Sequence, residues 1–393
     1  MTGSAARRPL VVAHSFPEWL PLTQTWLHSQ VARTPASAVE AHVLCERTAN
    51  LDQFAVPRLH VLARAGSVAR LWDRGLRKIG ARRHLGFYVR TARRHGVRVL
   101  HSHFGNVGWA DVPVARALGV PHVTTFYGFD VQKLPTSDPR WRDRYAELFA
   151  STARVLCEGS HMARQVVALG CPTDRVRVQH LGVDLDAIAF SERRRAPGEP
   201  LRVLVAGTFR EKKGIPDALR AVALARREVP VEVTLVGDAG PDAASQQEKA
   251  RIERVIDADA LGPHVRRPGY QSHRALLDLA ERHHIFLSPS RTASDGDTEG
   301  GSPVTITELS ASGMPVVSTR HCDIPEVVRD GESGLLAAEG DVEALARHLV
   351  TLAAGPERWG AMGRAGRAHI AAEYDARRQG ERLAAVYHEV AAA

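Results

Sequence analysis

Short apolar runs rich in β-branched residues recur along the whole chain, each followed by a stretch of helical character, and this alternation leaves few folds open. In the first half the runs are residues 10–13, 41–45, 97–101, 122–126, 154–157 and 176–179; in the second they are 203–206, 231–236, 285–288, 315–318 and 335–336. Runs apolar on both faces belong in a parallel sheet covered by helices on each side. The intervening stretches agree. Residues 217–227 and 341–354 are amphipathic at helical spacing, and Asp341, just after Gly340, is placed to cap the second of them. The fold class is therefore α/β, and 393 residues suffice for two Rossmann-like, doubly wound domains. The polar, Pro- and Gly-containing stretch 191–200 (SERRRAPGEP) reads as their linker.

Composition narrows the partners. With 44% hydrophobic and 24% charged residues and a mean hydropathy of −0.21, the chain is that of a soluble globular protein. No run approaches the roughly 18 apolar residues of a membrane span, and residues 1–9 lack the apolar core of a secretory signal, so the expected location is cytoplasmic. Cys45, Cys157, Cys171 and Cys322 lie far apart, which suggests neither a disulfide framework nor a thiolate zinc site. The net charge of +8 is uneven: residues 1–200 carry 28 Lys and Arg against 16 Asp and Glu, the remainder 24 against 28. Between Arg58 and Arg98 there are 12 basic side chains and one acid, Asp73, a local field that attracts phosphates or an anionic surface. No helix-turn-helix, RNP or zinc-finger signature accompanies it, so nucleic acid is not an expected partner.

In doubly wound sheets, ligands bind outside the carboxyl ends of the strands, and two such halves facing one another would share a crevice there. The polar residues after each run are thus the candidates. In the second half, residues 299–308 join a glycine loop to a helix start at Pro303, where the N–H groups of Gly301, Ser302 and the first turn can hold a diphosphate. Glu308, farther along that helix, is suited to ribose hydroxyls. Arg210 and Lys213, before Gly214, can neutralise charge growing on a departing nucleoside diphosphate. Asp295-Gly-Asp297 and Asp184-Leu-Asp186 spell a cation-binding spacing but do not directly follow an apolar strand. His101-Ser-His103 and His283-His284 lack a completing carboxylate or H-E-x-x-H context. No metal is expected. The glycine and serine motifs of nicotinamide Rossmann enzymes, P-loop nucleotidases and α/β-hydrolases are all missing.

Val68, Leu71, Trp72, Leu76 and Ile79 fall on one face of a helix over residues 68–83, with Arg70, Arg74, Arg77, Lys78, Arg82 and Arg83 around them. Such a basic amphipathic helix can lie on an anionic bilayer, or pack on its own domain with its arginines in water.

Several segments together resemble the family-4 glycosyltransferases, retaining enzymes of the GT-B fold, in particular the branch that makes colanic acid and other exopolysaccharides. They are His14-Ser-Phe-Pro17 with Thr23-Gln24-Thr25-Trp26, Leu100-His-Ser-His-Phe104, Thr125-Phe-Tyr-Gly-Phe-Asp130, Gly182-Val183-Asp184, Glu211-Lys-Lys-Gly214, Leu235-Val-Gly-Asp238, Pro289-Ser290, Glu299 through Pro303 to Glu308, Gly313-Met-Pro-Val-Val-Ser318, Ile324-Pro-Glu326 and Asp330-Gly-Glu-Ser-Gly334. The resemblance implies an acceptor-binding domain over 1–195, a nucleotide-sugar-binding domain over 196–370, and a final helix over 371–393 that returns to the first domain. It further implies a hexosyl unit transferred with retention from a nucleoside-diphosphate sugar, a UDP-sugar by expectation, with no metal or cofactor. The acceptor would be a sugar, a lipid-linked glycan or a small aglycone; the basic helix over 68–83, read apart from the resemblance, adds an expected peripheral contact with the anionic inner membrane face. Carried over by residue, His103, Glu299 and Lys213 would act in catalysis. Arg210, Lys213, Gly237, Gly300, Gly301, Ser302, Pro303, Val304 and Glu308 would hold the donor, and Phe16, Thr25, His103, Tyr127 and Asp130 the acceptor. In the family's front-face route the leaving phosphate oxygen helps deprotonate the acceptor.

Three departures from the pattern stand out. Thr208 follows Gly207 where an arginine is usual, leaving Arg210 as its substitute. Eight residues rather than seven separate Glu299 from Glu308. Tyr127 replaces a common histidine. A nucleotide-sugar epimerase or phosphorylase of the same architecture, or a non-catalytic sugar- or polyanion-binding protein, would carry many of the same features.

Overall fold

The computed structural model describes residues 8–21, 24–79 and 86–393. Two compact units divide the chain: residues up to Gly182 together with Asp375–Ala393, and Val183–Tyr374. Among the described residues the first contains seven parallel strands: β1 (Leu10–Trp19), β2 (Val39–Thr48), β3 (Leu59–Val61), β4 (Val99–His103), β5 (His122–Thr125), β6 (Arg154–Cys157) and β7 (Val176–Val178). Their order is β3-β2-β1-β4-β5-β6-β7. The second holds six: β8 (Leu201–Ala206), β9 (Val231–Val236), β10 (Val265–Gly269), β11 (Ile285–Ser288), β12 (Val316–Thr319) and β13 (Gly334–Ala337), in the order β10-β9-β8-β11-β12-β13. Strand order reverses beside β1 in one sheet and beside β8 in the other, which sets each topological switch point.

The inner strands of both sheets are buried on both faces, as the apolar runs predict. In the first, Val12, Val99, Val123 and Leu156 face one way, while Ala13, Leu44 and Leu100 face the other. The first set is covered by the helix Ala376–Ala392, whose Leu383, Ala384, Tyr387 and Val390 recur at helical spacing. The final stretch is not one helix, however. Trp359–Glu373 ends at Tyr374, and Asp375 restarts the chain by accepting hydrogen bonds from the N–H groups of Arg377 and Arg378, both at 3.0 Å. Asp341 caps the helix Val342–Ala354 through the Ala344 N–H at 2.8 Å.

The expected linker is not a free one. Residues 191–200 lie within the second unit, where the Ser191 N–H donates to the Ser312 carbonyl at 3.1 Å and the buried Arg193 reaches Ser312 Oγ at 3.0 Å. The chain instead changes unit at Gly182/Val183 and again at Tyr374/Asp375, rather than at 195/196 and 370/371.

Candidate functional site

In the second unit the loops after β8 and β11 are locked together by glycine. Gly214 has φ 63°, and a Cβ there would sit 1.9 Å from the Pro289 carbonyl oxygen. Gly237, after β9, has φ 124°, with its would-be Cβ 2.0 Å from the Gly207 carbonyl oxygen. No other residue fits either place.

The loop held this way carries Lys213, and its ammonium lies 2.9 Å from Glu299 Oε2. Ser290 Oγ donates to the other carboxylate oxygen at 2.9 Å. The Glu299 side chain is only 7% exposed. Burial pushes its carboxyl up, but Lys213, Lys212 and the hydrogen bonds from Lys213 and Ser290 outweigh that and hold it below the ordinary glutamate range. Its backbone N–H donates to His321 Nε2 at 3.1 Å; the opposite nitrogen, Nδ1, therefore carries the proton and lies 2.6 Å from Glu339 Oε1. Glu339 in turn accepts from the Thr292 N–H at 2.7 Å. Glu299 is thus held from both its side chain and its backbone.

The helix Val304–Ala311 starts directly after Pro303, which is its N-cap rather than its first-turn residue. The Ile306 N–H already donates to the Pro303 carbonyl at 2.9 Å, which leaves the N–H groups before it, at Val304 and Thr305, as the place where a helix start favours an anion. Gly300, at φ 77°, has its own N–H committed to Thr298 Oγ1 at 3.1 Å, while Ser302 Oγ is buried with no hydrogen-bond partner among the described residues. Val304 opens the helix, and Glu308, one turn on, receives His273 Nε2 at 2.9 Å. That hydrogen bond raises the His273 pKa above the ordinary value against the opposing effect of burial.

Arg210 is engaged elsewhere. Both its terminal nitrogens lie 2.8 Å from the Asp242 carboxylate, the N-cap of the helix Ala243–Ala258, so it does not join the Lys213–Glu299 group. Lys212 does stand beside that group, with its ammonium 3.2 Å from Asp297 Oδ1 and 2.8 Å from the Thr298 carbonyl. One carboxylate of the Asp295-Gly-Asp297 motif therefore already faces a lysine. His321, Glu339, His273 and Lys212 were not singled out from the sequence, although His321 follows β12 just as the chosen residues follow their strands.

In the first unit, His14 to Phe16 lie inside β1 and His101 to His103 inside β4, not after them; β1 runs on past its apolar run because it pairs with β2 as far as Trp19, and β4 because it pairs with β5 as far as His103. His103 is wholly buried: Nε2 lies 3.0 Å from His14 Nδ1, Nδ1 lies 2.6 Å from the Tyr127 hydroxyl, and Phe16 stacks on its ring at 4.2 Å. Tyr127 donates onward to Gln30 Oε1 at 3.0 Å. His101 spans Tyr387 and Thr125 at 2.6 and 2.7 Å. Burial depresses all three histidines, His14 to about 3, so they are neutral at pH 7. Offered ligand atoms of the three lie within 4.8 Å of one another, but of their six ring nitrogens only His14 Nε2 lacks a partner among the described residues.

Phe16 and Asp130, expected at the acceptor, are shut away from solvent. Asp130 instead positions the backbone: its carboxylate accepts from the N–H groups of Gly105 at 2.6 Å and Tyr127 at 2.9 Å, and burial lifts its pKa to about 6. The Thr25 side chain lies outside the described residues; its backbone opens the helix Thr25–Ala32.

The helix Ser67–Lys78 is shorter than the predicted 68–83, of which 80–83 lie outside the described residues. It is anchored through its polar side: buried Asp73 meets Arg90 at 3.0 Å and the Phe87 N–H at 2.7 Å, and Arg77 meets Glu46 at 2.6 Å. Val68, Leu71, Trp72 and the following Ile79 are 65–83% exposed. Four of the five apolar residues of this face thus stand in solvent, and Leu76 is half-buried. Among the described residues, no helix is long and apolar enough to cross a membrane.

Comparison with known proteins places the two units. Residues 24–187 match the family described as Glycosyltransferase Family 4, and residues 187–369 match Glycosyl transferases group 1. The chain is 32% identical over 257 residues to the amylovoran biosynthesis glycosyltransferase AmsK of Erwinia amylovora, and 34% over 259 residues to the putative colanic acid biosynthesis glycosyltransferase WcaL of Salmonella typhimurium. Each match takes in 64% of this chain, which spans 60% of the length of these relatives. It is 29% identical, over 78% of its length and 74% of the relative's, to a GDP-mannose-dependent alpha-(1-6)-phosphatidylinositol monomannoside mannosyltransferase of Mycolicibacterium smegmatis. Among solved structures, the sucrose-phosphate synthase of Thermosynechococcus elongatus superposes with a TM-score of 0.76 at 17% identity, covering 98% of this chain and 99% of its own. Anabaena Alr3699/HepE, in complex with UDP and glucose, gives 0.74 at 15%, covering 96% and 99%. Two parallel-sheet units matched in tandem by these two domain types show that the chain belongs to the family-4 glycosyltransferases of GT-B fold.

Proposed function

We propose that the protein transfers a hexosyl unit from a nucleoside-diphosphate sugar to an acceptor in exopolysaccharide assembly, with retention and without a metal in the transfer step. The observation that carries this reading is the half-buried Lys213–Glu299 pair, set beside the start of the helix Val304–Ala311 with Glu308 one turn along it. Lys213 and the first-turn N–H groups would receive the charge that develops on the leaving diphosphate, and Glu308 would receive ribose hydroxyls. The anomeric carbon–phosphate oxygen bond breaks as the bond to the acceptor oxygen forms on the same face, and the acceptor proton passes to the leaving phosphate oxygen. Enzyme groups then serve chiefly to orient and to stabilise charge, consistent with a buried and neutral His103.

The nucleotide is proposed to be UDP, in line with the resemblance noted above. GDP is the specific alternative, favoured by the GDP-mannose-dependent relative. Purified protein is to be offered UDP- and GDP-hexoses, with products read by mass spectrometry. Folded Lys213→Ala and Glu308→Gln variants are expected to transfer at least about a hundredfold more slowly than wild type. Transfer at the wild-type rate in both would remove the assignment. Sugar phosphate formed from phosphate, or an epimer formed without acceptor, would make the protein a phosphorylase or an epimerase. Nucleotide binding with no turnover of any donor would make it a binding protein.

The acceptor side is proposed to meet an anionic membrane surface through Val68, Leu71, Trp72 and Ile79, with Arg70, Arg74 and Lys78 nearby. Co-sedimentation with phosphatidylglycerol vesicles at physiological salt should fall in Leu71→Ser/Trp72→Ser. Equal pelleting of wild type and variant would refute the contact.

A further inference from the structure

Three histidines distant in the sequence meet on the first sheet, at the end away from the strand carboxyl termini. His42 lies near the start of β2, His60 on the edge strand β3, and His95 just past the helix Gly86–Arg94, in the connection that leads into β4. Ligand atoms of the three lie within 4.8 Å of one another. We propose that His42, His60 and His95 form a transition-metal site of the kind that takes Zn²⁺, pinning the edge strand to the rest of the sheet.

The hydrogen bonds around His42 already have the pattern of a ligand held by an outer carboxylate. Its Nε2 lies 2.9 Å from Glu40 Oε1, so the proton belongs on Nε2 and the lone pair on Nδ1. That lone pair points at His60 Nε2, 2.9 Å away, with the two rings nearly parallel at 4°. His60 Nε2 must therefore hold a proton in the metal-free chain. Binding exchanges that N–H for a metal–nitrogen bond while the proton moves to His60 Nδ1, so no charge is left over. Zn–N bonds of about 2.0–2.1 Å at a tetrahedral centre set ligand nitrogens roughly 3.3 Å apart, which falls between the 2.9 Å of this pair and the 4.8 Å span of the three.

The surroundings keep the imidazoles available. Burial, with His95, His42 and Arg94 nearby, holds the His60 pKa down to about 4, and burial, His42 and Arg94 also lower His95. Glu40 stays ionised, lowered by its hydrogen bond to His42 and by Arg58, which lies 3.2 Å from the same carboxylate oxygen. Three imidazoles and a bound water suit zinc, and also cobalt, nickel or copper.

The test uses the full chain without a histidine tag, stripped with chelator and titrated with ZnCl₂ by calorimetry and with CoCl₂ by visible absorption. One metal per chain should bind saturably and raise the melting temperature. His60→Gln and His95→Gln should each weaken binding at least tenfold, and Glu40→Gln by about 10- to 100-fold. No saturable binding, or unchanged affinity in both histidine variants, overturns the site. So does loss of binding in His14→Gln with retention in His60→Gln, which would put the metal in the buried histidine group of β1 and β4. If His60→Gln does not fold, His95→Gln, outside the sheet, decides alone. Sugar transfer is not the readout, so failure here leaves the proposed activity untouched.

Discussion

Replacing Lys213 by methionine keeps the bulk of the side chain and removes the cation that faces Glu299 at 2.9 Å. What remains is a carboxylate with 7% of its side chain exposed and Ser290 as its remaining direct donor. Stranding a buried charge costs about 3–5 kcal/mol, and since a fifth of the lysine surface is open to water the lower end, about 3 kcal/mol, is expected. Glu299→Gln should cost less, because Lys213 can turn toward solvent. The double variant should be more stable than the sum of the single costs implies, by about 1–2 kcal/mol. Urea titration read by hydrogen exchange of peptides from β8 and β9 reports on the second unit by itself. The pH dependence supplies a second check. In wild type the Glu299 pKa lies below its unfolded value, so its contribution is complete above the unfolded pKa, about 4.3, and is lost as pH falls through the folded one. In Lys213→Met the folded pKa rises above the unfolded value, and the penalty is relieved as pH falls through it. Strictly additive single costs, or a penalty that does not change between pH 7 and 4, would refute the coupling.

Three further outcomes are expected. His14 and His122, each pushed down to about 3 by burial, remain neutral while the unfolded chain protonates below pH 6.5, so each should cost about 1.4 kcal/mol per pH unit on acidification. His60, His95, His101, His103, His283 and His284 act in the same sense, while buried Asp111 and Asp130, raised to about 6, oppose them together with Glu248 and His273, both also raised; eight groups against four leave a net loss, and a flat melting temperature from pH 7 to 5 would contradict it. Gly237→Ala, with its Cβ driven to 2.0 Å from a carbonyl oxygen, should destabilise the second unit by more than about 2 kcal/mol in urea unfolding. Asp375→Ala removes the cap of the last helix and should cost about 1 kcal/mol, read as faster amide exchange at Arg377 and Arg378.

Legibility followed apolar content. Strands with both neighbours in place, such as β9 and β11, coincide with the apolar runs read from the sequence, because a strand enclosed on all sides must be apolar throughout. The two strands that went unread, β3 and β10, are sheet edges: one has three residues, and the other reads Val-Arg-Arg-Pro-Gly, with Arg266 and Arg267 in solvent. The strand-end rule led to Lys213, Glu299 and Glu308, since polar residues after an apolar run stand out. It could not show that Arg210 turns to Asp242, because a partner 32 residues away leaves no local trace. The same holds for His42, His60 and His95, whose meeting depends on the packing of an edge strand and a helix.

The chain leaves the first unit after Gly182 and re-enters it at Asp375, and the two passages touch: a Cβ on Gly182 would lie 2.5 Å from Ala376 Cα, while the Val183 N–H donates to the Tyr374 carbonyl at 2.8 Å. The second unit is thus one uninterrupted stretch of sequence, whereas the first is assembled from two pieces. On a ribosome, the later unit can finish folding while the earlier one still waits for Leu383 and Tyr387 to cover Val12 and Val99. Until then β1 and β4 expose an apolar face to the cell, a window in which chaperone dependence and aggregation of this protein would be concentrated.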